Sequence, residues 1–196
     1  MLLSKLRSLK VGRLIPLVLA PYVLLGAMIA FLFLTGSHPG SLKVIGLIVA
    51  AMETAAFLST VWSTADSCSP TVAASRNLFV KCCHIPAYIV HFCIGLWGML
   101  LSVWGIGFIL YAFLADVLTI VLSGIPAAAC AVRMYKGDLL SKKAAILTGI
   151  GSFIFCADII CALYFVLRCG SESKVLRRLF RQAAEKTASV SEETVV

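Results

Sequence analysis

Residues 86–131, PAYIVHFCIGLWGMLLSVWGIGFILYAFLADVLTIVLSGIPAAACA, decide the fold: within them His91 and Asp116 are the sole members of the His, Lys, Arg, Asp and Glu classes. One transmembrane helix needs roughly 20 apolar residues, so this run is long enough for about two crossings. Trp104-Gly105-Ile106-Gly107, near its middle, is the place to fold it, because glycine tolerates a tight reversal of the chain. That reading predicts spans over about 87–104 and 108–131. The run shows no dyad alternation of apolar and polar residues, which a membrane β-barrel strand requires, so helices are selected.

The same character extends over the chain. Of its 196 residues, 61% are hydrophobic and 13% charged, and the mean hydropathy is +1.01. Soluble domains carry about 25% charged residues. An apolar excess of this size cannot be hidden inside a small globule, and lipid is the solvent that accepts it. The expected architecture is all-α, a polytopic transmembrane helix bundle of about five spans. The spans are placed at about 14–35, 43–62, 87–104, 108–131 and 143–167, together a bundle over 14–168. A basic leader, 1–13, precedes it and a basic, then polar, tail, 169–196, follows. The first run is too long for a secretory signal and reads as an uncleaved anchor, with Pro16 and Pro21 near its start, where a missing amide donor costs least. Trp62, Tyr88, Trp104, Tyr111 and Tyr135 then fall near the expected membrane faces, where amphipathic aromatics prefer to sit.

The net charge of +8 is arranged for a membrane. Lys5, Arg7, Lys10 and Arg13 precede the first run, and Arg133, Lys136, Lys142 and Lys143 separate the last two. This pattern serves topology and anionic lipid headgroups, and without an accompanying aromatic or glycine motif it excludes nucleic acid as a partner. A cytoplasmic amino terminus puts these cations, with Arg76 and Lys81 of the expected 64–86 loop, inside and leaves Lys43 outside. Five crossings would then place the tail outside despite Arg168, Lys174, Arg177, Arg178, Arg181 and Lys186. Either the tail is outside or the fifth span does not fully cross; five crossings is the reading adopted here. Within the tail, 173–186 fits a short amphipathic helix, and Thr194-Val195-Val196 matches a carboxylate-recognition pattern.

Ionisable groups inside a span are costly and need a partner or a wet cavity. Those within the predicted spans are Glu53, His91, Asp116 and Asp158. Helical spacing puts Glu53 with Gly46, Ala50 and Thr60, and His91 with Gly95, Gly98, Ser102 and Gly105. Asp116 shares a face with Ala112, Thr119, Ser123 and Ala127, and Asp158 with Gly151, Cys161 and Ala162. Small residues permit close helix approach, so each stripe marks an expected packing face. By rise per residue His91 lies roughly 6 Å from the inner membrane face. Glu53 then lies near the middle, and Asp116 and Asp158 both lie in the outer half, where two neighbouring carboxylates would share one proton. These groups either relay protons or a small cation, or hydrogen-bond between helices and fix their register.

No hydrolase, nucleotide-binding or metalloprotease motif occurs, and no catalytic residue, cofactor or metal is expected. Cys82-Cys83-His84 lacks zinc-site spacing, and Cys93, Cys130, Cys156 and Cys161 lie in apolar runs, where cysteine acts as a small hydrophobe. His38 sits in a short turn with no nucleophile beside it. Two stretches, Lys81-Cys-Cys-His-Ile-Pro-Ala-Tyr-Ile89 and Phe153-Ile-Phe-Cys-Ala-Asp-Ile-Ile160, resemble segments of small uncharacterised multi-pass membrane proteins of anaerobic Gram-positive bacteria. The resemblance covers 81–167 and implies a bacterial cell membrane and several spans, with no activity attached. The function expected from the sequence is a non-enzymatic scaffold or accessory subunit acting through helix–helix association, with a membrane protein partner or a homo-oligomer. The alternative is a small proton- or ion-coupled transporter using the buried ionisable residues.

Overall fold

The computed structural model describes residues 10–34 and 39–171. Regular structure within them is helical throughout. A 3-10 turn, Val11–Arg13, leads into α1, Ile15–Leu34, followed by α2, Pro39–Ala65, and α3, Pro70–Leu100. A second 3-10 turn, Ser102–Gly105, connects α3 to α4, Ile106–Lys136. Then come the short α5, Lys142–Gly151, and α6, which covers 157–171. The helical bundle expected from the sequence is therefore present, and four of its helices, α1 to α4, are long and apolar enough to cross a membrane.

The long helices run alternately up and down, with α3 and α4 in the most extensive pairing and α1 and α2 in the next. One end of the bundle is basic: Lys10 Nζ lies 3.4 Å from Asp66, Arg76 lies 2.6 Å from the same carboxylate, and Arg133 donates to the Thr64 carbonyl. At the opposite end the chain reverses between α3 and α4. There Gly105 passes so close to the Gly98 carbonyl that no Cβ fits, which is why the expected fold-back at 104–107 is built on glycine.

Helix α3 begins well before the expected span at 87. Ser69 caps it, its Oγ accepting from the Val72 N–H at 3.4 Å, and Pro70 occupies the first turn with its φ already set. Most of the segment read as a 64–86 loop is thereby helical, and Lys81 lies inside the bundle, not in a connection.

Three long helices contain an internal proline, and the carbonyl each proline leaves without its usual donor explains much of the packing. Pro21 in α1 deprives the Leu17 carbonyl of its partner, and His84 Nε2 of α3 sits 3.0 Å from that oxygen. Pro126 in α4 likewise frees the Leu122 carbonyl, and Thr60 of α2 donates its hydroxyl there at 2.9 Å. Pro86 in α3 frees the Cys82 carbonyl instead, and the Tyr22 hydroxyl of α1 donates to the next carbonyl, Cys83, at 2.5 Å. At Pro21 and Pro126, polar side chains of neighbouring helices thus replace amides that proline cannot supply.

The expected fifth span, 143–167, is not one helix. Ser141 caps α5, its Oγ accepting from the Ala144 N–H at 3.3 Å. Residues 152–156 break the helix, Cys156 adopts a left-handed φ of 65°, and α6 runs back. Arg168 Nε donates to the Leu139 carbonyl at 2.9 Å. Phe165 and Cys169 pack with Ala73, Ala74, Cys130, Met134 and Leu140, where α3 begins and α4 ends. The segment is a helical hairpin with both feet at the basic end, so the fifth full crossing is corrected to a return. Its tip is held between α3 and α4. Phe155 meets Tyr88 edge-on at 5.3 Å between ring centres, and Phe153 covers Gly124 so closely that a Cβ there would come within 2.8 Å of the ring.

Removing a donor that serves a proline-freed carbonyl should be measurable. Thr60→Val is expected to lower stability by about 1 kcal/mol, the scale of interhelical hydrogen bonds between membrane helices. In a Pro126→Ala background the new amide can serve Leu122 itself, and the loss should shrink toward zero in a double-mutant cycle of detergent unfolding. An equal loss in both backgrounds would refute the proline account.

Candidate functional site

Asn77, Lys81, His84, Tyr88 and His91 recur along α3 at alternating spacings of four and three, which puts them on one helix face. All are buried. At about 1.5 Å of rise per residue the row is roughly 21 Å long. It faces α1, α4 and the hairpin tip.

Lys81 and Asp158 form its centre. The ammonium lies 2.8 Å from Asp158 Oδ2, with side-chain exposures of 0% and 1%. At this distance the two charges are in direct contact. The ammonium also donates to Ser123 Oγ of α4 at 2.7 Å, and the Ser123 hydroxyl donates in turn to the Thr119 carbonyl at 2.8 Å. Asp158 lies in the first turn of α6, where the helix dipole favours a negative charge, and its Oδ1 accepts from the Ile159 N–H at 2.8 Å. One ion pair therefore joins α3, α4 and the hairpin at a single point.

A second pair sits along the row toward the glycine turn. His91 Nδ1 lies 2.7 Å from Asp116 Oδ1, the histidine fully buried and the aspartate side chain 19% exposed. Tyr88 lies between the two pairs, its hydroxyl in the electrostatic neighbourhood of both Asp158 and Asp116.

The row is incompletely satisfied. Asn77 Nδ2, His84 Nδ1, Tyr88 Oη and His91 Nε2 are each buried with no hydrogen-bond partner. His84 Nε2 faces a carbonyl, which only accepts, so Nε2 carries the proton and Nδ1 presents a lone pair. At the basic end a chamber of about 10 Å³ touches Asn77, Ser123, Arg76 and Arg133, space for roughly one water. Beside it the partly buried Asp66 carboxyl is held below the usual carboxylate range, chiefly by the hydrogen bond from Arg76 and further by the charges of Arg76 and Lys10.

The structure brings His91 and Asp116 together and leaves the other expected groups elsewhere. Asp158 pairs with Lys81 and Asp116 with His91, so each of the two carboxylates expected to neighbour the other faces a basic side chain. Glu53 is half-buried, its carboxyl oxygens enclosed without a partner. Thr60, on its expected face, is spent on Leu122. Of the expected packing residues, Ala112, Thr119, Ser123, Gly98 and Gly151 are buried in the bundle, and Gly151 lies against Cys161. Gly46 and Ala50 are exposed, and neither Gly46 nor Gly95 has a neighbour within 4 Å of its missing Cβ. The Ser102 and Trp104 side chains, His38, and the tail features at 173–186 and 194–196 lie outside the described residues.

Lys81, Asn77 and His84 are hidden in the sequence because they fall in the segment that reads as a loop, and Tyr88 because its position reads as a membrane face. The signal was available: extending α3 back to the Ser69-Pro70 cap exposes the recurrent polar face. The stretches 81–89 and 153–160 contain the residues that meet, Lys81 with Asp158 and Tyr88 with Phe155. Comparison of the chain with protein families, curated proteins and solved structures finds no match.

Breaking a buried pair leaves an uncompensated charge, so Asp158→Asn is expected to cost about 3–5 kcal/mol. Removing both charges together, as Lys81→Met with Asp158→Leu, should recover most of that loss in equilibrium unfolding. A double variant as unstable as Asp158→Asn would show that packing at the hairpin tip dominates over the charge.

Proposed function

We propose that this is a multi-pass protein of the cell membrane, with a cytoplasmic amino terminus, that conducts protons along the α3 polar row. The observation that carries the reading is the set of buried polar atoms left without partners at His84, Tyr88 and His91. A purely structural polar core is expected to satisfy its groups, because a half-satisfied buried network is worse than an apolar one. Titratable side chains spaced along one face, with spare donor and acceptor capacity, suit a proton relay through a low-dielectric interior. The row covers about two thirds of a hydrocarbon core roughly 30 Å thick.

Orientation follows from charge. Arg13, Arg76, Arg133, Lys136, Lys142, Lys143 and Arg168 lie at the basic end and Lys43 lies near the other, which favours the basic end as cytoplasmic. Exposed Lys136, Lys142, Lys143 and Arg168 suit anionic headgroups on that leaflet. The returning hairpin brings residue 171 back to this end, which relieves the conflict that five crossings create for the basic tail. The resemblance noted for 81–89 and 153–160 supports a bacterial membrane. Substituted cysteines at positions 10 and 171, in a background free of reactive thiols, are expected to label with a charged reagent from the same side of oriented vesicles. Labelling from opposite sides would refute the hairpin topology.

The second reading, an accessory subunit working through helix association, is favoured by the outward position of Gly46 and Ala50 on α2, a close-approach pattern that the bundle leaves open.

Purified protein in liposomes with an imposed pH gradient and a counter-ion path should show a proton flux. Asp158→Asn should abolish it. Tyr88→Phe, which keeps the ring packing and removes an unpartnered hydroxyl, should leave stability unchanged or raised and cut the flux by about tenfold or more, the scale of a removed proton-transfer group. Absence of flux in the wild type, or a Tyr88→Phe flux equal to it, would overturn the relay.

A further inference from the structure

The chamber at the basic end differs in kind from the row it adjoins. Its polar lining is Ser63, Cys68, Arg76, Asn77, Ser123 and Arg133. Two guanidiniums approach it from different helices, Arg76 from α3 and Arg133 from α4. Each contacts the Cys68 sulfur, at 3.6 and 3.3 Å. The nearby carboxylate, Asp66, is turned to Arg76 and Lys10 and does not line the space. Asn77 is 6% exposed, and its Nδ2 is a buried donor with no partner.

We propose that this chamber binds a small monovalent anion of the halide class. The walls offer mainly donors and positive charge, the arrangement that selects an acceptor without a proton of its own. A buried amide donor left empty is costly, and an anion seated between it and the guanidiniums satisfies it through a charge-assisted hydrogen bond. The volume of about 10 Å³ corresponds to roughly one water-sized occupant, which favours a monatomic ion over a polyatomic one. Walls from α3, α4 and the end of α2 meet here, so an anion at this place also ties those three helices together at the basic end. The inference stands on the chamber alone and does not depend on conduction along the row.

Trp62 provides the readout, since the Arg76 guanidinium lies 4.9 Å from its ring centre. In full-length protein with Trp97→Phe and Trp104→Phe, sodium bromide titrated against sodium gluconate at constant ionic strength should quench Trp62 saturably. The thermal midpoint should be higher in bromide or chloride than in gluconate. Asn77→Asp places a carboxylate where the anion would sit, so it should remove both responses and retain the midpoint seen in gluconate. A linear, collisional quench with equal midpoints in all salts would mean that the chamber holds water only and would overturn the proposal. So would an Asn77→Asp protein that keeps the saturable halide response. The wild-type titration decides the matter by itself if Asn77→Asp does not fold.

Discussion

The contact between Lys81 and Asp158 is the interaction on which the rest of the structure depends. A lone ammonium or carboxylate in an apolar interior is very costly, and pairing removes that cost only if both partners reach the same depth. Lys81 is fixed by α3, so Asp158 must be delivered to it, and a straight helix through 143–167 has no such obligation. The hairpin makes the delivery. Its break at 152–156 ends α5 early, its return places Asp158 in the first turn of α6, and the helix dipole then adds to the stabilisation of the carboxylate. The left-handed Cys156 is part of the same device. A β-carbon in that region costs roughly 1–2 kcal/mol, and the clasp of Phe153 on Gly124 and Phe155 on Tyr88 holds the turn in place.

A second constraint acts on the backbone. An apolar surround offers no water to a carbonyl that proline has stripped of its donor, so a neighbouring side chain must donate. Leu17 and Leu122 each receive one, from His84 and Thr60, and each bond joins two different helices. The prolines therefore act as specifiers of helix pairing. Much of the polar content of this interior is used in this way, which makes the atoms still lacking a partner on α3 the more informative ones. They lie on one line between the basic end and the Asp116 pair. The functional reading rests on that line.

The sequence made some of this legible and hid the rest for identifiable reasons. The apolar runs, the glycine reversal at 104–107 and the inward side of His91 and Asp116 were readable, because helical periodicity and hydropathy act locally. Lys81 was not readable as a buried group. A lysine near a run end normally counts as a topology signal, and only its partner at the hairpin tip, 77 residues further along the chain and 2.8 Å away in space, cancels its charge. Gly46 and Ala50 show the reverse error. Their spacing is that of a packing stripe, yet spacing cannot tell whether the surface opposite is a helix of the same chain.

Taken by itself, the sequence determined that the chain is a helical bundle with apolar helices long enough to cross a membrane, where its main reversal lies, and that its cations gather near the ends of the apolar runs. Those properties follow from composition and from the short-range geometry of the helix. Tertiary structure alone decided that the last apolar segment turns back, that Asp158 belongs to Lys81 and Asp116 to His91, and that an incompletely satisfied polar row runs through the bundle. Each of those depends on two residues far apart in the chain reaching the same place. In a low-dielectric interior, the charge or hydrogen-bonding capacity of one residue is settled by whichever distant partner arrives beside it.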